Sequence, residues 1–196
     1  LFNTLNTIAA LTRTDPTQAR DLLREFAAFY RQTLENSESR ISLASELEQT
    51  RRYLKFEHAR FGEDRIIERE HIAPGCEDLP VPAFMVQPLV ENAVRHAMRD
   101  EGPLHIDIHV ARDEDDVLIS VTDDGLGMDE ATAERLRSRA AGPDRNNPRG
   151  TGMALRNVAE RVKRFYGSGS GLEIMSRPGE GTSVTVRLAG VASELE

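Results

Sequence analysis

Apolar positions recur at helical spacing through the first sixty-two residues and then change period. Leu1, Leu5, Ile8 and Leu11 fall on one face of a first helix. Asp15, Pro16 and Gln18 spell a helix start, with Asp as N-cap, Pro at the first helical position and Gln at the third. The helix that follows carries Leu22, Phe26, Phe29, Tyr30, Thr33 and Leu34. A third sets Leu43, Leu47, Thr50, Leu54, Glu57 and Phe61 alternately four and three apart, a coiled-coil-like seam with two polar members. Three short helices have few residues with which to enclose a core. Self-association is therefore the expected way to bury both stripes, and a homodimer through this region is expected.

Beyond Gly62 the spacing predicts alternating strands and helices. Residues 65–71 read as a strand, and residues 84–98 as a helix entered from Leu79-Pro80-Val81-Pro82. Leu104, Ile106, Ile108 and Val110 alternate with His105, Asp107, His109 and Ala111, the period of a half-buried strand. Val117, Ile119 and Val121 repeat the pattern in a strand that ends at Asp123-Asp124-Gly125. A short helix is expected from Asp129, a loop over 140–150 and a helix over 152–166. Two last strands, 172–176 and 182–188, flank the turn Pro178-Gly179-Glu180-Gly181. The expected fold class is α+β: a helical dimerisation region over 1–62, a two-layer α/β sandwich with antiparallel-looking strands over 63–190, and a tail over 191–196.

Composition narrows the function. Of the 196 residues, 39% are apolar and 30% charged, and there is no Trp, so the core must be built mainly of Leu, Val, Ile and Ala. The charge-free stretch 79–90 is interrupted by Pro80, Pro82 and Pro88, and is far short of the about 20 apolar residues of a membrane span. Neither a membrane segment nor a signal peptide is read in the chain, and the expected location is cytoplasmic. The single Cys76 rules out an internal disulfide or a thiolate zinc cluster. Charge is uneven: nine basic against eight acidic residues up to Gly62, then sixteen against twenty-five. So acidic a second half argues against nucleic acid as partner.

Three clusters carry candidate chemistry. In Glu91-Asn92-Ala93-Val94-Arg95-His96, the side chains of Asn92, Arg95 and His96 lie one helical turn apart, an arrangement able to hold a metal–phosphate group. At Asp123-Asp124-Gly125-Leu126-Gly127, a carboxylate at a strand end can accept from an exocyclic amine, while the glycines permit close approach. Gly150-Thr151-Gly152 runs into a helix whose free N–H groups suit phosphate. Taken singly, each also reads as a solvated helix face, an Asp-Gly turn or a flexible loop.

Together and in this order they resemble the GHKL-type ATP-binding domains. Glu91-Asn92-Ala93 with His96 looks like their N box, and Asp123-x-Gly125-x-Gly127 like their first glycine box. Gly150-x-Gly152 with Leu155 resembles the second, and Gly179-x-Gly181-Thr182 the last. In the first region, Leu1-Phe2-Asn3-Thr4-Leu5-Asn6 is similar to the tail of the Pro-His-Phe-Leu-Phe-Asn signature of LytS-type sensor histidine kinases. Leu54-Lys55-Phe56-Glu57 with Arg60-Phe61-Gly62, and Gln87-Pro88-Leu89-Val90-Glu91-Asn92, resemble further segments of that family. The resemblance covers essentially the whole chain.

It implies a kinase core that binds ATP and Mg²⁺, passes the γ-phosphoryl to a histidine and then to a response-regulator Asp, and belongs to a protein with upstream sensory or membrane segments. Asn92 would hold the ATP-bound Mg²⁺ and Asp123 the adenine amine. Gly125 and Gly127 would leave room for the nucleoside, and Gly150, Thr151 and Gly152 would close over the phosphates, with Thr182 also at the nucleotide. Arg95 and His96 are implied phosphate contacts, and Glu91 and His96 the candidate catalytic residues. The family's acceptor His falls two residues before Leu1. Ala97 and Ala154 stand where the family has Gly, which implies reduced room. The alternatives are a nucleotide-binding module that gates a partner, and a serine kinase acting on a regulatory protein.

Overall fold

The computed structural model describes residues 2–35, 40–98, 101–141 and 152–192. Helices α1 (Phe2–Thr14) and α2 (Pro16–Glu35) form a hairpin. Asp15 caps the second as its sequence predicts, its Oδ1 accepting from the N–H groups of Thr17 at 3.1 Å and Gln18 at 2.9 Å. A three-residue strand β1 (Arg40–Ser42) leads into α3 (Leu43–Phe61), which Ser42 caps. The chain continues through β2 (Ile66–Ile72), β3 (Pro80–Pro82), α4 (Gln87–Ala97), β4 (Leu104–Asp113) and β5 (Asp116–Asp123). It then runs through α5 (Glu130–Ala141), α6 (Gly152–Tyr166), β6 (Gly171–Arg177) and β7 (Gly181–Leu188).

Five strands form one sheet in the order β2-β4-β5-β7-β6. Strict alternation along β4, β5 and β7 turns Leu104, Ile106, Ile108, Val110, Val117, Ile119, Val121, Val184, Val186 and Leu188 toward the helices, all buried. Val90, Val94, Leu155, Val158 and Val162 of α4 and α6 close the layer from above. The other sheet face is polar, with Thr122 and Ser183 bonded through their hydroxyls across β5 and β7. This is the expected two-layer sandwich.

The strand expectations need two corrections. β2 pairs with β4 in parallel, whereas the remaining pairs are antiparallel. The crossover through β3 and α4 supplies the long connection that a parallel pair requires. The ribbon β1–β3 was not expected, because Pro80 and Pro82 deprive β3 of ladder donors and three residues carry no alternation. Its cross-strand bonds bring the residues just before α3 against the entry to α4.

The helical region also behaves differently from the expectation. Leu43, Leu47 and Leu54 of α3 are buried in the same core as Val81, Leu89 and Leu104, so the seam faces the sandwich within one chain and does not need a second copy to cover it. Arg51 Nε donates to Glu70 Oε1 at 2.8 Å, tying α3 to β2 as well. A separate small cluster of Ile8, Leu22 and Phe56, with Phe26 and Phe29 around it, holds the α1–α2 hairpin on the opposite side of α3. Leu5, Leu23 and Tyr30 of that hairpin stay exposed.

Candidate functional site

Two of the three predicted clusters, those on α4 and after β5, meet at one end of the sheet. A cavity of about 360 Å³ is lined by Asn92, His96 and Ala97 from α4, by Asp123, Gly127 and Met128 at the end of β5, by Thr182 of β7 and by four residues of α5. Its volume is within the range of small-ligand pockets.

Asp123 closes β5, opposite Ile106 of β4 and Thr182 of β7. Only 5% of it is exposed. Its Oδ1 accepts from the N–H of Gly125 at 3.0 Å and of Thr182 at 3.2 Å, which fixes the carboxylate at the cavity wall. Thr182 shares its hydroxyl with Ser176 Oγ at 2.9 Å, and Ser176 Oγ accepts from Met128 N–H at 2.9 Å. The hydrogen-bond chain therefore runs from β7 through β6 to the loop after Asp123. Strand pairing together with these hydrogen bonds sets this half of the site.

Two glycines of the loop have separate reasons. A side chain at Gly125 would place its Cβ 2.2 Å from Ala97 Cβ and 2.3 Å from Ala97 O. Gly125 thus makes room for α4, and it is not among the residues that line the cavity. That gives Gly125 a packing role and explains how Ala97 is accommodated. Gly127 does line the cavity, with φ of +64°, and its Cα lies so close to the carbonyl of Arg177 that no Cβ could fit.

On α4, Asn92 and His96 are one turn apart and both reach the cavity. Partial burial, with Arg95 beside it, holds the His96 imidazole below its usual pKa. Glu91 and Arg95 are not among the lining residues. Glu91 Oε1 accepts from Gln87 Nε2 at 2.7 Å. Both lie within electrostatic reach of Tyr53 on α3, whose phenol is pushed far up by burial and then by the carboxylates of Glu57 and Glu91. Gly152 opens α6, whereas Gly150, Thr151 and nearly all of the 140–150 segment lie outside the described residues.

Sequence reasoning missed the α5 wall of Thr132, Arg135, Leu136 and Arg139. Asp129 caps this helix, accepting from Thr132 N–H at 2.7 Å, a bond that lowers its carboxyl pKa. Arg135 Nη2 donates to Thr132 Oγ1 at 2.7 Å. The available signal was the arginine pair four residues apart, which on its own resembles a solvated face. Chemically the cavity offers one buried acid at one end, an amide and an imidazole of lowered pKa on the facing helix, and two guanidinium groups along α5. That is a donor–acceptor set for a base at one end and anionic oxygens at the other.

Comparison with known proteins finds related families along the chain. The family described as histidine kinase matches residues 1–66, and the family of histidine kinase-, DNA gyrase B- and HSP90-like ATPases matches residues 79–190. Sensor protein LytS of Bacillus anthracis is 36% identical over 94% of this chain and 31% of its own length. LytS of Bacillus subtilis is 34% identical over 96% of this chain. The chain spans about a third of the length of these curated relatives. Among solved structures, the histidine kinase domain of the Erythrobacter litoralis blue-light activated kinase matches with a TM-score of 0.54 and 16% identity. It covers 95% of this chain and 83% of its own. The catalytic domain of histidine kinase ThkA gives 0.55 at 17% identity, covering 78% of this chain and 95% of its own. At such identity these two speak for the fold alone. No helix among the described residues is long and apolar enough to cross a membrane. With a histidine-kinase helical segment joined to an ATPase domain, and with curated relatives matching along nearly its whole length, this chain belongs to the LytS-type sensor histidine kinases.

Proposed function

We propose that this chain is the kinase core of a two-component sensor: it binds ATP with Mg²⁺ and directs the γ-phosphoryl to a histidine, from which a response-regulator Asp receives it. The observation that carries the reading is the single cavity shared by Asp123, Asn92 and Thr182, three residues from three separate motifs. Asp123 accepts the adenine amine, and its buried carboxylate is already oriented by two backbone donors. The residues present fit Mg²⁺, since Asn92 offers a neutral amide oxygen and Mg²⁺ takes few protein ligands besides phosphates and water. When bound, the ion neutralises charge on the phosphates during transfer. Arg135 and Arg139 line the cavity with His96 and are assigned to the phosphates together with it, as is Gly152 at the α6 start. Arg95 and Glu91, within electrostatic reach of Tyr53 on α3, are assigned to the joint between helical region and sandwich.

The acceptor is assigned to none of the five histidines of the chain. His58 Nε2 pairs with Glu68, His105 Nδ1 with Asp124, and His71 and His109 face each other on the outer sheet surface. His96 belongs to the cavity itself. Homodimerisation through the α1–α2 hairpin is part of the proposal, supported by exposed Leu5, Leu23 and Tyr30. The match of residues 1–66 favours a histidine kinase over a gating module or a serine kinase. The full-length protein, given γ-labelled ATP and Mg²⁺, is expected to acquire acid-labile, alkali-stable label that Asn92→Ala removes. Acid-stable label, or none, would contradict the reading.

A further inference from the structure

Helix α4 carries Asn92 and His96, yet it starts without a local cap. Val86 occupies its N-cap position in a helical conformation and makes no side-chain cap bond, and Pro88 follows in the first turn. The orphan N–H groups that every helix presents at its start must still be met. They are met from another helix. Glu46 of α3 is fully buried, and its Oε1 accepts from the N–H of Val86 at 2.8 Å and of Gln87 at 3.3 Å. Its Oε2 accepts from Phe84 N–H at 2.8 Å. Phe84 has φ of +59°, a conformation that costs a bulky residue and persists only where surroundings enforce it. Burial raises the Glu46 carboxyl above its ordinary range, and the N–H groups of residues 84–87 oppose that shift.

Other bonds make the same joint stiff. Ser42 and Ser45 fix the start of α3 four residues or fewer before Glu46. The α3 residues Leu43 and Leu47 pack with Val86, Leu89 and Val90 in one core. Arg161 of α6 donates to the carbonyl of Ala83, next to Phe84. A shift of α3 therefore has no soft element through which to dissipate before it reaches the start of α4. By contrast, Asp123 Oδ1 is bonded to the N–H of Thr182 on the neighbouring strand and to that of Gly125 in its own loop.

We propose that Glu46 is a positioning residue of the nucleotide site: from α3 it fixes the start of α4, and thereby the places of Asn92 and His96 relative to Asp123. The proposal rests on the nucleotide reading above and adds to it a route by which the helical region sets the phosphate side of the cavity. Its signature is selective. Glu46→Gln keeps the size of the side chain but turns one acceptor oxygen into a donor that faces backbone donors. Affinity for a phosphate-bearing ligand should suffer, while affinity for a ligand read only by the sheet should not.

Titration calorimetry on wild type, Glu46→Gln and Glu46→Asp, with adenosine and with a non-hydrolysable ATP analogue plus Mg²⁺, makes the test. The expected result is a loss of about tenfold for the Mg²⁺–analogue complex in Glu46→Gln, within the usual range of coupling between sites. Adenosine should change by less than about twofold, and Glu46→Asp, which keeps the carboxylate, should recover part of the loss. Unchanged affinity for the analogue would overturn the proposal, and so would equal losses for both ligands, which mark a general packing fault. If Glu46→Gln does not fold, Glu46→Asp is judged by the same selectivity. A wild-type protein that binds neither ligand overturns the nucleotide reading and this proposal with it, before any variant is made.

Discussion

The two walls of the cavity are built in different ways. The sheet wall, with Asp123, Gly127 and Thr182, is fixed by strand pairing and by the Ser176–Thr182–Met128 hydrogen bonds, all inside the sandwich. The helix wall, with Asn92 and His96, stands on a helix whose start is held by Glu46 from α3. One wall is bonded strand to strand and to the end of α4, and the start of the other is tied to the helical region. The same contrast divides that region itself: α3 is part of the main core, whereas the α1–α2 hairpin attaches through Ile8, Leu22 and Phe56. On the proposed reading, a base read from the sheet and phosphates held through a helix tied to its neighbour would let the phosphate side respond separately to the helical region.

The largest stability effect is expected where α3 joins the sandwich. Leu54 is 1% exposed, and Leu54→Ala should cost about 2–5 kcal/mol by denaturant unfolding, with the whole sandwich losing stability together. Gly125→Ala comes next, since its Cβ would meet the Ala97 backbone, and overpacking of this kind costs about 1–3 kcal/mol. A thermal melt should show that loss, and no relief from Ala97→Gly alone is expected because the Ala97 carbonyl also stands in the way. Leu22→Ala, in the small satellite cluster, should cost less than about 2 kcal/mol and loosen α1–α2 while the sheet amides keep their hydrogen-exchange protection. An equal effect of Leu22→Ala and Leu54→Ala on the sheet would erase the distinction between the two helical parts.

The smallest effect is a pH slope. His96 has its pKa lowered by partial burial and by Arg95. The unfolded chain therefore takes up that proton at about pH 6.5, before the folded one does, and stability falls as pH drops through and below that value. Melting temperatures collected between about pH 7.5 and pH 5.5 should show a shallower fall in His96→Gln than in wild type. A steeper fall in the variant would reverse the sign of the argument.

Much of the sandwich was legible because its strands alternate strictly: Leu104 to Val110 and Val117 to Val121 could hardly pack otherwise. Asp123 was legible as a carboxylate at the end of such a strand. The parallel pairing of β2 with β4 was not, since strand order leaves no trace in local period. The helix expected from residue 84 begins at Gln87, because the positive φ of Phe84 and a cap forty residues away in sequence decide where α4 starts. The stripe of α3 was read correctly as apolar and assigned to the wrong partner: periodicity shows that a face will be buried, not against what. The packing of Gly125 against Ala97 was not legible, because it depends on how α4 approaches the loop.

The central claim is that the sheet wall reads the base, and Asp123→Asn tests it most directly. The asparagine can keep its carbonyl on the Gly125 and Thr182 N–H groups, which then leaves an amine where the ligand needs an acceptor. Adenosine binding measured by titration calorimetry should weaken by about thirty- to a hundredfold, the worth of a hydrogen bond to a charged group, with the melting temperature little changed. Adenosine bound equally well by Asp123→Asn and wild type would contradict the account.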